Sequence, residues 1–552
     1  MPNEVNPRAR RFGVMYFISP DSGGNSRAAT KLSDHRRISI PGEGALYLVG
    51  MSQPRVVRRT VLGVVVAVAA TFLSSGHGAA DPAVAGAVRT AGKWFTDAAG
   101  RVVVFHGENV ANKKPPYTPS ATGFGEPDAE LLADEGFDAV RMPIVWEAVE
   151  PRPGQYDDGY LADIADTVAT LHRYGIGVEI EFHQDLWSSV IGGEGAPAWA
   201  TITDGAPDTS HDLVAANLGN PAFWNATQNF FGNAPGPDGV GIQTRFIQMW
   251  QHVAAYFKGK LGVIGYGPLN QPPAGGAFLP CLANACPPPI IDSLRAFDRD
   301  VGVAIRSVDP DTPIWLSGVI TTNYGTAADL GAPPVAGTAY GFNVYCVVQA
   351  LQGGGSGGCD PQWESDINQA AVYTDAVGIP PVVTEFGATG DRGALVRNLD
   401  LFDQDRVGWF NWTYLGGDPA TVAKNPDDQA IVIDAHLPRT PGNVRESNLD
   451  ALVRPYPKLT SGTPIEWGYN VSGHEFTYRW DTRRADNDGR FPDGSVTVIS
   501  TPHRSYPGGY HVRIIGGRQV SERHAAELKV AGCAAEVSVT VMPGDGPDQE
   551  GC

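Results

Sequence analysis

The chain has 552 residues, of which 42% are hydrophobic and 18% charged. This composition is typical of a globular protein with room for one large domain and a smaller one, each with its own core. The formal net charge is −19 at pH 7, although the first 80 residues are basic on balance. Such an acidic body argues against nucleic acid and anionic membrane surfaces as partners, because both would repel it, and leaves neutral ligands open.

The first 80 residues have the pattern of a leader. From Met51 a cluster of arginines is followed by an apolar run from Val61 to Leu73 and by small residues up to Ala80. This order predicts a secretory signal peptide at residues 51–80, and a single-span anchor is the alternative for so short a run. Residues 1–50 precede that signal without clear periodicity, so we expect them to be a spurious or disordered extension, with Met51 as the true start. The expected location is secreted or extracellular, with association to the cell envelope left open.

The six cysteines are consistent with export. They fall as three pairs of neighbours along the chain: Cys281 with Cys286, Cys346 with Cys359, and Cys533 with Cys552. Three disulfides that close short loops are the natural pattern in an oxidising compartment. A metal site is the alternative, but the sequence has no CxxC motif and no His-rich partner set. We therefore predict three disulfides, no metal and no cofactor.

Residues 88–445 alternate short apolar runs with amphipathic stretches such as LADIADTVATLHRYG. Eight such runs predict an α/β fold, a parallel (β/α)8 TIM barrel. The runs are RVVVFHGEN (101–109), FDAVRMPIVW (137–146), IGVEIEFHQDLW (176–187), GVIGYGPLNQP (262–272), TPIWLSG (312–318), GTAYGFNVYC (337–346), GIPPVVTEFG (378–387) and RVGWFNWTYLG (406–416). Polar or aromatic side chains lie near the ends of most runs, where barrel enzymes build their active sites: Asn109, Arg141, His183, Gln271, Asn343, Glu385 and Trp412.

Two further segments lie outside this alternation. Residues 188–245 form an insertion after the third run, and its aromatic residues predict a lid or a hydrophobic slot over the barrel, with ordinary loop packing as the alternative. Residues 450–552 change to alternating runs broken by Gly, Pro and Asp, which predicts a small C-terminal antiparallel β-sandwich. A carbohydrate-binding module and a packing domain that buttresses the barrel are both open.

Glu385 is the best candidate for a nucleophile. A retaining glycosidase needs two carboxyl groups about 5–5.5 Å apart, one as nucleophile and one as acid/base, and a barrel rim can supply them from different strands. In PVVTEFGATGD, Glu385 follows an apolar run that would fix it rigidly. The alternative is a structural glutamate paired with Arg141.

Six segments carry a family resemblance. In order and spacing, FHGENVANKKPPYTPS, VRMPIVWEAVEPRPGQYDDGYL, FHQDLWS, LNQPPAGG, TEFGATGD and ALVRPYPKLTSGTP resemble glycoside hydrolase family 5 and, within it, the endoglycoceramidases. The likeness covers nearly all of residues 88–552. It implies a secreted retaining hydrolase that cleaves the bond between oligosaccharide and ceramide in glycosphingolipids and needs no metal. The implied partners are a glycolipid or oligosaccharide substrate and, transiently, lipid aggregates or membranes, with a monomer expected.

The resemblance also implies roles for individual residues. Glu385 would be the nucleophile, Arg141 its charge partner, and Asn270 the residue that hydrogen-bonds the sugar 2-hydroxyl. Trp412 would stack under the sugar ring. The remaining substrate-binding positions would be His183 and Tyr345 next to the cleaved bond, with Lys113 and Asp185 reaching sugar hydroxyls.

Two positions depart from the family pattern. Gln271 stands where members have the acid/base glutamate, and Asn343 stands where a histidine is usual. Glutamine has no proton to transfer, whereas a general acid contributes about 10²–10⁴-fold, so activity is expected to be impaired. An engineered change, a natural variant and a glycolipid-binding relic are three interpretations. The variant would cleave with help from a carboxylate such as Glu194 or Asp391, or act on a leaving group that needs no acid. A β-glucanase is a further alternative.

Overall fold

The computed structural model describes residues 86–283, 285–346, 348, 356–418 and 425–552. The predictions for residues 1–50 and for a signal peptide at residues 51–80 therefore lie outside the described residues. Within the described part of the chain, each helix is too short or too polar to span a bilayer.

Three short strands precede the barrel: β1 (Arg89–Ala91), β2 (Trp94–Thr96) and β3 (Val102–Val103). The next eight are parallel and close into a barrel, with the last paired to the first, which confirms the predicted (β/α)8 fold. They are β4 (His106–Asn109), β5 (Ala139–Ile144), β6 (Gly177–Phe182), β7 (Val263–Gly267), β8 (Ile314–Ser317), β9 (Thr338–Val344), β10 (Pro381–Gly387) and β11 (Gly408–Trp412). Each lies inside one of the predicted runs.

The helices surround this barrel. Helix α6, for example, buries Phe246, Met249, Trp250 and Val253, a spacing of three and four residues that places one face against the strands. The helices in the described residues are α1 (Glu126–Asp134), α2 (Trp146–Val149), α3 (Asp158–Arg173), α4 (Leu213–Gly219), α5 (Pro221–Phe231), α6 (Ile242–Phe257), α7 (Phe278–Ala283), α8 (Pro288–Val308), α9 (Asp360–Val377), α10 (Arg392–Asp405) and α11 (Glu446–Leu452).

The insertion at residues 188–245 contains helices α4 and α5 and packs on the barrel. Phe223 and Phe230 are buried in the main core, as an ordinary packing segment would require. Trp224 and Phe231 are only partly buried and line an open groove. Ordinary loop packing therefore describes Phe223 and Phe230, whereas the hydrophobic slot describes Trp224 and Phe231.

The C-terminal residues form an antiparallel strand-rich domain, as predicted. Its strands are β12 (Tyr456–Thr460), β13 (Thr463–Asn470), β14 (Glu475–Asp481), β15 (Val496–Ser500), β16 (Tyr510–Ile515), β17 (Gly517–Gln519), β18 (Glu527–Gly532), β19 (Glu536–Pro543) and β20 (Gln549–Gly551). Strands β1–β3 join the same sheet through the pairing of β3 with β12. The apolar run RVVVFHGEN thus holds two strands, one for each sheet, and not one barrel strand.

This domain covers the end of the barrel at which the strands begin. Leu459 and Val498 of the domain share an apolar cluster with Phe95 and with Ala139 and Val382 near the starts of barrel strands. Tyr456 stacks on His106, with ring centroids 3.6 Å apart. This packing favours the buttressing domain over a separate carbohydrate-binding module and leaves the other end of the barrel, its mouth, open.

All six cysteines form the three predicted disulfides, Cys281–Cys286, Cys346–Cys359 and Cys533–Cys552. The third ties the C-terminal residue to the strand-rich domain.

Candidate active site

Arg141 joins four strand ends at the mouth of the barrel. From β5, its Nη1 donates hydrogen bonds to Asn109 Oδ1 at 2.9 Å and to Glu385 Oε1 at 2.7 Å. Its Nη2 donates to Asn270 Oδ1 at 3.0 Å. The structure therefore brings together Asn109, Arg141 and Glu385, which the strand-end pattern selected. It adds Asn270, which the family resemblance selected, and the guanidinium fixes the relative positions of all four residues.

Glu385 has both carboxylate oxygens engaged. Arg141 binds Oε1, and the Tyr345 hydroxyl donates to Oε2 at 3.0 Å. Burial, followed by the neighbouring Glu385 carboxylate, raises the pKa of Tyr345 well above its usual range, so the phenol keeps its proton and remains a donor. Glu385 itself is 3% exposed. A buried carboxylate held on both oxygens is rigid and correctly placed to act as a nucleophile.

Two more glutamates lie beneath Arg141 inside the barrel. Glu179 and Glu181, both on β6, lie 3.3 Å and 3.4 Å from the guanidinium nitrogens. Burial raises the pKa of Glu179 to about 8, against the opposing effect of Arg141 and with further help from Glu181 and Glu385. At neutral pH Glu179 is therefore mainly uncharged. Gly267 makes room for it, since a Cβ there would collide with the Glu179 carboxyl.

His183 connects this interior to Trp412 and Asp185 at one side of the mouth. Its Nδ1 lies 2.6 Å from Glu181 Oε1, and its ring is nearly parallel to that of Trp412, with centroids 5.3 Å apart. Burial lowers the pKa of His183, but the charge of Glu181, the contact of Nε2 with Asp185 at 3.7 Å and the hydrogen bond with Glu181 outweigh burial and raise the pKa to about 10. The imidazole is thus held as a cation.

Lys113, Asp185, Trp412 and Asp418 form one wall of the mouth, and with His183 we call them the sugar pocket. The Lys113 ammonium pairs with Asp185 and, at 3.2 Å, with Asp418, and it lies 4.4 Å from the centroid of the Trp412 ring. Trp412 Nε1 donates to Asp418 Oδ2 at 2.9 Å. Lys113, Trp412 and Asp418 line a cavity of about 130 Å³. The sequence pattern missed Asp418, which follows the last barrel strand in a loop.

Among the described residues, His183, Asp185 and Glu194 place possible metal-ligand atoms within 4.8 Å of one another. The Lys113 ammonium already pairs with Asp185, and a second cation at this place would be repelled by it.

Asn270 and Gln271 lie in the loop after β7. The Asn270 backbone N–H donates to Phe182 O at 2.9 Å, and its buried side-chain Nδ2 has no hydrogen-bond partner within the described residues. Gln271 has a φ of 45°, in the left-handed region that side chains other than glycine rarely adopt. Gln184 Nε2 donates to the carbonyls of both residues, at 3.1 Å and 3.2 Å. The loop is thus held in a strained conformation, with Asn270 Nδ2 left without a partner among the described residues.

Asn343 lies beside this network and not at its centre. Its Oδ1 accepts a hydrogen bond from Thr384 Oγ1 at 2.7 Å. Thr384 precedes Glu385, so Asn343 helps to fix the strand that carries the nucleophile candidate.

A largely apolar groove of about 440 Å³ lies between the insertion, the loop that follows Gln271 and helix α8, and we define it by Trp224, Phe231, Pro273, Ala274 and Ile290. Trp224 and Phe231 come from the insertion, whereas Pro273 and Ala274 continue the loop of Gln271. The groove is therefore lined without the charged side chains of the sugar pocket.

Comparison with known proteins identifies the family. The sequence model described as Cellulase (glycosyl hydrolase family 5) matches residues 111–418, more than half of the chain. The Glycoside hydrolase family 5 C-terminal domain matches residues 454–541.

Similar proteins cover most of the chain. Endoglycoceramidase I of Rhodococcus hoagii is 28% identical over 476 residues, which are 83% of this chain and 86% of that protein. The endoglycoceramidase of Cyanea nozakii is 26% identical over 420 residues, 70% of this chain and 77% of that protein. The structure of endo-glycoceramidase II from Rhodococcus sp. superposes with a TM-score of 0.66 at 26% identity, covering 82% of this chain and 99% of that chain. The chain therefore belongs to glycoside hydrolase family 5 and is a glycosidase related to the endoglycoceramidases.

Proposed function

We propose that the chain is a secreted retaining glycosidase of glycosphingolipids in which Glu385 is the nucleophile and Gln271 occupies the acid/base position. The observation that carries the proposal is the fixation of Glu385 by Arg141 and Tyr345 at the mouth of the barrel. In a retaining reaction, this carboxylate attacks the anomeric carbon while the bond to the aglycone oxygen breaks and the aglycone leaves with the bonding electrons. The resulting covalent glycosyl-enzyme is then hydrolysed by water, which releases the sugar and frees the carboxylate.

The sugar binds between Glu385 and the sugar pocket. Asn270 Nδ2, buried and without a partner in the described residues, donates to the sugar 2-hydroxyl. Such a bond strengthens as charge develops on the ring in the transition state. Trp412, with Lys113 and Asp185 beside it, contacts the remaining hydroxyls.

The apolar groove supports a lipid as the leaving group. Its Pro273 and Ala274 follow Gln271 in the same loop, so the proposal places the lipid on the Gln271 side of the cleaved bond. Burial of an acyl chain in such a groove is favourable by about 0.8 kcal/mol for each CH₂. Similar proteins are named endoglycoceramidases, and one related structure holds ganglioside GM3.

Gln271 limits the first chemical step. Its amide can donate a hydrogen bond to the glycosidic oxygen but cannot transfer a proton, and a general acid is worth about 10²–10⁴-fold. Asp391 is a poor replacement, because its carboxylate caps helix α10 and accepts hydrogen bonds from the N–H groups of Gly393 and Ala394. Substrates whose leaving groups need no acid are therefore cleaved best.

A second candidate is a glycolipid-binding protein without turnover. Gln271 favours it, because every other part of the proposed site can bind a sugar without an acid. Export of either form is supported by the leader pattern of residues 51–80 and by the three disulfides.

The two candidates are separated by incubating purified protein with 2,4-dinitrophenyl 2-deoxy-2-fluoro-β-glucoside, whose good leaving group needs no acid. Mass spectrometry is expected to show one added fluoroglucosyl group, mapped to Glu385 and lacking in Glu385→Gln. A folded protein that binds glycolipid vesicles but never becomes labelled would favour the binding protein.

A further inference from the structure

Two buried polar atoms face each other beside the sugar pocket. Glu194 Oε1 and His183 Nε2 lie 3.9 Å apart. Neither atom has a partner within hydrogen-bond distance among the described residues, and the carboxylate oxygen of Asp185 closest to His183 Nε2 is 3.7 Å away. Their side chains are nearly inaccessible, with 2% and 1% of each residue exposed. Because buried polar groups normally find partners, this arrangement points to a ligand that supplies them.

The backbone builds Glu194 into this place. The main chains of Asp185 and Glu194 exchange two hydrogen bonds, with Glu194 N donating to Asp185 O at 3.0 Å and Asp185 N donating to Glu194 O at 3.3 Å. Gly193 permits this approach, since a Cβ there would collide with the Asp185 carbonyl oxygen. The glutamate is therefore fixed to the segment that carries His183 and Asp185.

The neighbouring charges make Glu194 a hydrogen-bond donor as well as an acceptor. Lys113, acting against burial, lowers the pKa of Asp185, so that carboxylate is ionised. Burial first, and then Asp185, raises the pKa of Glu194 well above its usual range despite Lys113 and His183. This shift favours the protonated form of Glu194, which can donate a hydrogen bond as well as accept one.

We propose that Glu194 is a specificity-determining residue of the sugar pocket that, together with His183 Nε2, holds one hydroxyl group of the bound sugar. A hydroxyl oxygen about 2.8 Å from each atom fits above the 3.9 Å gap and satisfies both. The ligand class is a neutral pyranose whose hydroxyl at this position is free, because an acylated or glycosylated oxygen loses its proton and adds bulk in an enclosed site. The inference rests on the proposed function and adds a contact that selects among its substrates.

The test compares hydrolysis of 2,4-dinitrophenyl β-glucoside with that of its 3-, 4- and 6-monodeoxy analogues. Glu194→Ala is expected to lower kcat/KM for the parent glucoside about fivefold to tenfold, the value of one hydrogen bond. For one analogue, which lacks the recognised hydroxyl, the variant and the wild type should be equal. Glu194→Asp withdraws the carboxyl by one methylene and disturbs the fold less than Glu194→Ala. It should also lose activity towards the parent glucoside and should equal the wild type for the analogue that lacks the recognised hydroxyl.

Glu126→Ala serves as the control, because Glu126 is an exposed glutamate on α1, and it should leave all four rates unchanged. Equal losses across all four substrates in both Glu194 variants, or no loss in either, would overturn the inference while leaving the proposed function intact. A wild type that hydrolyses none of the four would overturn the proposed function and this inference with it.

Discussion

The nucleophile side and the acid side of the mouth are held with similar firmness but differ in their chemistry. Glu385 is fixed by Arg141 and Tyr345. Gln271 lies in a loop fixed by Gln184, with a φ of 45°. Only the first of the two offers a carboxyl group. In the proposed function, the position of the acid is thus kept in the fold without a proton to transfer, and the site separates positioning from proton transfer.

The largest effect is expected on the nucleophile side. Glu385→Gln keeps the size of the side chain but removes the attacking carboxylate, so kcat/KM for 2,4-dinitrophenyl β-glucoside should fall by about 10⁴-fold or more. Glu364→Gln, an exposed position on α9, is the matched control and should keep the wild-type rate. Residual activity close to wild type in Glu385→Gln would mean that another group attacks the sugar.

The opposite change on the acid side should increase activity. Gln271→Glu restores a proton donor in a loop that is already fixed, so the rate of hydrolysis of a fluorescent glucosylceramide should rise by about 10²-fold or more. Chromatographic separation of the released sugar and ceramide measures it. A folded variant without any gain would show that the acid is not the only missing part.

Asn270 lies between the two sides and should have a smaller effect. Asn270→Ala removes the proposed bond to the 2-hydroxyl, and a loss of about 10- to 100-fold in kcat/KM is expected for the dinitrophenyl glucoside. The rate of labelling by the 2-fluoro reagent should fall less, because that sugar has no 2-hydroxyl. Equal losses for both sugars would indicate that Asn270 acts only through Arg141.

The smallest effect is expected from the protonation of Glu179, which lies next to Arg141 inside the barrel. The pKa of Glu179 is raised to about 8 from its ordinary 4.5. Binding of this proton therefore stabilises the folded protein fully below about pH 4.5, and this contribution to the free energy of unfolding is lost as pH rises through 8. Glu179→Gln, which does not titrate, should therefore gain in Tm relative to wild type between pH 5 and pH 8, on the order of 2–4 °C. Differential scanning calorimetry measures the change, and a Tm difference that is constant with pH would contradict it.

The barrel could be predicted because parallel strands are buried on both faces and therefore form continuous apolar runs. The same property caused one error. In RVVVFHGEN the apolar residues Val102 and Val103 form β3, whereas the barrel strand β4 consists of the following residues HGEN. The two strands follow each other within one run, so the pattern does not show that Val102 and Val103 pair with the C-terminal sheet.

The site could be predicted only in part. Arg141, Asn270 and Glu385 follow from strand ends and from the family resemblance. Glu179 and Glu181 were missed, although their alternation in VEIEF places both on the inner face of one strand. Asp418 gave no local signal, because its contact with Lys113 depends on the course of a loop that the pattern cannot specify.

The central claim, that the site retains its nucleophile and lacks only a proton donor, is tested most directly by the dependence of rate on the leaving group. We would measure kcat/KM for a series of aryl β-glucosides of increasing phenol pKa in the wild type and in Gln271→Glu. The wild type should slow steeply as the leaving group becomes more basic, whereas Gln271→Glu should show a shallow dependence, with the two lines meeting at the most acidic phenols. Parallel lines would contradict the account, because they would mean that residue 271 does not transfer the proton in either protein.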